Sequence, residues 1–113
     1  MEITKITNLD LKKKWVAALR SGTYDQITCA LKENGAYCCL GVLCEIVGHI
    51  PPAEEAFGMD ENLPDEVAKM LGPDMPRDPA VKLPDGRVKV LSSLNDDLYW
   101  TFEQIADIID QQL

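Results

Sequence analysis

The sequence has a single histidine, His49, and its four cysteines contain no Cys-x-x-Cys pair. A zinc centre built on two rigid knuckles is therefore excluded. Only a mixed set drawn from Cys29, Cys38, Cys39, Cys44 and His49 stays open, and it requires the first hairpin to fold back on the second helix. The plainer reading makes these cysteines small core residues on apolar faces. A thiol nucleophile needs a base, and His49 lies five residues from Cys44, so on a helix the two point about 140° apart. Ser21, Ser92 and Ser93 lack a Gly-x-Ser-x-Gly elbow, and no glycine-rich phosphate loop is present. The adjacent acids Glu54-Glu55 and Asp96-Asp97 point apart unless the backbone turns, which disfavours a two-carboxylate acid–base site. Neither catalysis nor a cofactor is expected.

Long apolar runs are missing too. The longest, around Ala36 to Val47, is broken by Gly41 and Glu45, so neither a signal peptide nor a membrane span is expected. Without export, the cytosolic thiol pool keeps the cysteines reduced. Positive charge is scarce: 11 Lys and Arg stand against 19 Asp and Glu, a formal net of −8. A broad electrostatic grip on DNA, RNA or anionic lipid does not fit that balance. The charge is also uneven. Residues 1–50 hold six bases and five acids, a net of +1, whereas residues 51–113 hold five bases and fourteen acids, a net of −9. A solvated acidic surface explains this most simply; the sharper reading is a locally basic pocket for an anionic small molecule.

What is present suffices for one core. At 113 residues, with 46% hydrophobic and 27% charged residues, the chain reads as a single domain spanning 1–113. Thr7 or Asn8 caps a helix from about Leu9 to Ser21, with Leu11, Trp15, Ala18 and Leu19 as its stripe and Gly22 as its stop. Asn34-Gly35 between apolar runs predicts a hairpin at 27–38. Leu40, Leu43, Cys44 and Val47 predict a short buried helix, in which Gly41 signals close approach by another element. Residues 49–62 read as a connector. Pro64 opens a third helix that ends at Gly72. A second hairpin alternates around Pro84-Asp85-Gly86 within 81–90. Thr101 and Gln104 form a capping box ahead of Phe102, Ile105, Ala106, Ile108 and Ile109. The expected class is α+β: about four helices with two short β-hairpins. The last helix can serve a monomer core or the seam of a homodimer equally well.

Two stretches carry more hydrogen-bonding groups than a loop needs. Arg20-Ser21-Gly22-Thr23-Tyr24-Asp25-Gln26 places a guanidinium, hydroxyls, an aromatic ring and an amide beyond a helix end. Ser92-Ser93-Leu94-Asn95-Asp96-Asp97 either turns back toward it or is only an Asx-turn before the final helix.

Three segments carry a resemblance. Trp15 to Gln26 fits W-x-x-A-L-R-S-G-x-Y-x-Q, Tyr37 to Cys44 fits Y-C-C-L-G-V-L-C, and Leu94-Asn95-Asp96 precedes Phe102, Ile105, Ala106 and Asp107 of an F-x-x-I-A-D helix. This resembles a family of small proteins encoded by tailed bacteriophages, over about 12–45 and 92–110. The resemblance implies a phage origin and the host cytoplasm, and transfers no catalytic residue. It further implies a role against host immunity, by sequestering a nucleotide signal or blocking a defence protein. On the first reading a nucleotide-type small molecule is held by Arg20, Ser21, Tyr24, Gln26, Tyr37, Asn95 and Asp96, with Trp15 or Tyr37 stacking if exposed. On the second, acidic residues such as Glu54, Glu55, Asp60, Glu61, Asp96 and Asp97 dock onto a host defence protein, as a nucleic-acid mimic. Salt separates the two, because exposed charge pairs are screened and a desolvated pocket is not.

Overall fold

A computed structural model describes residues 3–28, 30–48 and 62–113. In chain order the elements are α1 (Leu9–Arg20), β1 (Asp25–Gln26), β2 (Lys32–Glu33), β3 (Ala36–Tyr37), α2 (Cys39–Ile46), α3 (Asp65–Leu71), β4 (Ala80–Lys82), β5 (Val88–Val90), α4 (Leu91–Asp96) and α5 (Phe102–Gln112). The class is α+β, with five helices where four were expected.

Helix α1 starts at Asn8, whose side-chain oxygen accepts from the Leu11 N–H at 3.2 Å. Its entry also closes α3: the Thr7 and Asn8 N–H groups donate to Leu71 O, and the Asn8 amide donates to Met70 O, so the last carbonyls of α3 are satisfied from outside that helix. Trp15, Val16 and Leu19 are buried, and the Trp15 indole N–H donates to Cys39 O at 2.9 Å, tying α1 to the start of α2.

Helix α2 is buried on every side from Cys39 to Cys44. Gly41 is there because a Cβ at that position would lie 1.7 Å from Leu31 O, so the chain ahead of β2 rests directly on the helix backbone. The Asn34-Gly35 turn forms with both residues at positive φ, yet the hairpin spans only 32–37, narrower than the 27–38 expected. Ile27, Thr28, Ala30 and Leu31 are not strand. Instead Asp25–Gln26 pairs parallel to β3, giving the order β1-β3-β2.

The second hairpin pairs Ala80 with Val90 and Lys82 with Val88. The outer edge of β4 is closed by a side chain: Gln112 accepts from Lys82 N–H and donates to Lys82 C=O, both at 2.6 Å. Helix α4 replaces the expected turn. Its cap is not local, since Asp78, fourteen residues upstream, accepts from both the N–H and the hydroxyl of Ser92. Helix α5 carries the expected capping box at Thr101 and Gln104. Its apolar residues Phe102, Ile105, Ala106, Ile108 and Ile109 are buried within the chain, where α5 packs on α1, α4 and β4. The face proposed as a dimer seam is therefore covered by the protein's own core.

Candidate functional site

The two polar stretches picked out in the sequence do meet. The Gln26 amide donates to Asn95 Oδ1 at 2.8 Å and to Trp100 O at 2.7 Å. Asn95 is 1% exposed, and its remaining capacity is filled: Nδ2 donates to Ile27 O and Asp96 Oδ1, and Oδ1 also accepts from Cys39 N–H. An asparagine amide has two donors and two acceptor positions, so this one is saturated by the protein. It holds β1, α2 and α4 in register.

The other residues of that set are also engaged. The Ser21 hydroxyl donates to Ala18 O at 2.6 Å and accepts from Thr23 N–H, closing the end of α1. Tyr24 meets Tyr37 edge-on with ring centroids 5.3 Å apart, and the Lys32 ammonium sits 5.3 Å from the Tyr37 centroid. Tyr37 and Trp15 are buried, so neither ring is available for stacking a base. Arg20 donates to Asp107 Oδ1 at 2.7 Å and lies 3.9 Å from Asp110, across the α1–α5 contact. The hydrogen bond to Asp107, then its charge and that of Asp110, raise the guanidinium pKa further, so Arg20 stays charged.

A recess lies on the other side of these contacts. A groove of about 710 Å³ opens between the N-terminal segment, the end of β4 and α5. Its apolar wall comes from Ile3, Leu83, Pro84 and Ile108, with the partly exposed Trp100 beside them. Its polar groups are Lys5, Lys82, Asp107 and the amides of Gln104, Gln111 and Gln112. Lys5 and Lys82 are exposed and form no ion pair with any described carboxylate, whereas Asp107 is held by Arg20. The groove therefore presents two ammonium groups without a described counter-charge on a chain of net charge −8.

A smaller cleft of about 420 Å³ is lined by Gln26, Ile27, Thr28, Asn95 and Tyr99. It shares the Leu98–Trp100 segment with the groove, because Tyr99 lines the cleft and Trp100 the groove. Of the residues expected to hold a ligand, Gln26 and Asn95 line this cleft, and none of the others lines the cleft or the groove. Lys5, Lys82, Tyr99 and Trp100 were not singled out in the sequence. They come from segments far apart in the chain, and no local pattern marks them.

The described thiols, Cys38, Cys39 and Cys44, are buried. Burial pushes the Cys38 thiol up to about 12, and desolvation likewise raises Cys39 well above the usual thiol range. Thiolate chemistry has no support at these positions. Cys29 and His49, candidates for the mixed metal set, and the acids Glu54, Glu55, Asp60 and Glu61 lie outside the described residues. Among the described residues no cluster of His, Cys, Asp and Glu is placed to hold a metal ion, and no helix is long and apolar enough to cross a membrane.

No curated protein and no solved structure matches the chain. A sequence family does: its model covers residues 7–113, nearly the whole chain, and the protein belongs to the family described as a domain of unknown function, DUF8296.

Proposed function

We propose that the protein binds and sequesters a nucleotide-type small molecule without turning it over, as a phage-encoded agent that removes a signal of host immunity in the host cytoplasm. One observation carries the reading. The groove at α5 offers an apolar wall with a tryptophan and two lysines that have no ion-pair partner among the described residues, while its lining carboxylate is occupied by Arg20. A volume of about 710 Å³ suits a ligand with one or two rings. Ammonium groups suit phosphate oxygens, and the Trp100 ring suits a base. The sequence-selected residues then act from behind. Gln26 holds the carbonyl of Trp100, Asn95 holds Gln26, and Arg20 keeps Asp107 from repelling the anion.

Two measurements test this. Native mass spectrometry of protein expressed in bacteria with active defence systems, compared with its denatured mass, should show a non-covalent adduct of nucleotide mass. Titration with AMP should change Trp100 fluorescence, and Arg20→Ala should weaken that binding while the apo melting temperature stays within a few degrees. A bare chain and a flat titration would defeat the groove reading and favour the acidic docking surface, to be sought by pull-down at low and high salt.

A further inference from the structure

The smaller cleft has a different chemistry from the groove, and its wall is unusual. Tyr99 is 74% exposed and sits at φ 54°. The other described non-glycine residue at positive φ is Asn34, a turn residue of the type that tolerates it; a tyrosine does not. A ring held in a disfavoured backbone conformation, facing solvent and without an aromatic partner among the described residues, contributes little to packing.

The groups beside it complement a planar heterocycle. Both Gln26 amide hydrogens are taken by Asn95 and Trp100, which fixes the amide and leaves its carbonyl with no donor among the described residues. The Thr28 hydroxyl likewise has no described partner, and Ile27 supplies an apolar contact. Asn95, saturated and buried, makes the floor rigid. No lysine or arginine lines the cleft, so it offers no cation to a phosphate. We propose that this cleft is a second site, for an uncharged nucleobase or nucleoside, with the ring stacked on Tyr99 and its hydrogen-bonding edge read by the Gln26 carbonyl and the Thr28 hydroxyl. The proposal stands apart from the anion groove and does not depend on it.

The test is an NMR titration of the isotopically labelled full chain with adenosine, following the Tyr99 ring, the Gln26 side-chain amide and the Trp100 indole. Saturable shifts are expected at Tyr99 and Gln26 and not at Trp100. Tyr99→Asn removes the ring and relieves the backbone. It should lower adenosine affinity about tenfold, in line with the contribution of base–aromatic stacking, without lowering the melting temperature. Absence of saturation, shifts confined to Trp100, or undiminished affinity in Tyr99→Asn would each overturn the proposal. So would a marked drop in the melting temperature of Tyr99→Asn, which would make the ring a packing residue. A failure of AMP to reach the groove leaves these readouts unaffected.

Discussion

Two regions that meet at Trp100 treat their polar groups in opposite ways. Around Asn95 every donor and acceptor of the side-chain amide is filled, and nearby Gly41 has no room even for a methyl group. In the groove, Lys5 and Lys82 have no ion-pair partner among the described residues and the space beside them is open. The difference separates residues that specify the fold from residues available to something outside it. A buried polar group is retained where all of its bonds are made, and an unpaired charge is tolerated where water covers it until a ligand arrives.

The contrast can be broken most severely at Gly41. Gly41→Ala places a Cβ against the Leu31 carbonyl, where backbone and not a flexible side chain must move. It should cost at least about 4 kcal/mol or prevent folding, read by urea denaturation. Asn95→Leu comes next. It strands the Cys39 N–H, the Ile27 carbonyl and the Gln26 amide together, and a loss of about 2–4 kcal/mol is expected. A loss below about 0.5 kcal/mol would show that the network is decorative.

On the other side of the comparison, Lys5→Ala with Lys82→Ala should leave stability within about 0.5 kcal/mol and weaken AMP binding at least about tenfold. Unchanged binding would place the anion elsewhere. The smallest effect belongs to Asp78, half-buried at the start of α4. Burial raises its carboxyl pKa, and the hydrogen bonds from Ser92 lower it by less. The native state thus holds this proton more tightly than the unfolded chain. The stability so contributed is full below the ordinary aspartate value near 4 and is lost as pH rises through the folded value. Relative to Asp78→Asn, the protein should lose stability over a narrow interval above about pH 4 and run parallel beyond it; parallel curves throughout would refute the assignment.

What the sequence showed and what it hid follow the same line. Features set by near neighbours were legible: the Asn8 cap, the Thr101–Gln104 box, the turns at Asn34-Gly35 and Pro84-Asp85-Gly86, and the close approach at Gly41. Helix α4 was missed because its cap, Asp78, is brought from fourteen residues away, and no capping residue precedes Leu91. The first hairpin came out shorter because β3 takes a parallel partner, Asp25–Gln26, that carries no apolar alternation. At the site, the polar richness of Arg20–Gln26 and Ser92–Asp97 was visible, but its saturation was not. Whether an amide is free depends on what faces it, and Gln26 and Asn95 are 69 residues apart.

The Gln112 amide on the Lys82 backbone has one more consequence. A two-stranded sheet with an open edge invites the edge of another molecule, and a row of unpaired backbone groups is a template for stacking copies end to end. By imitating one residue of a third strand, Gln112 closes β4 at Lys82 within its own chain. The same side chain borders the groove, so a ligand that drew Gln112 away would uncover the strand edge as it bound. One amide thereby serves both the strand edge and the wall of the groove.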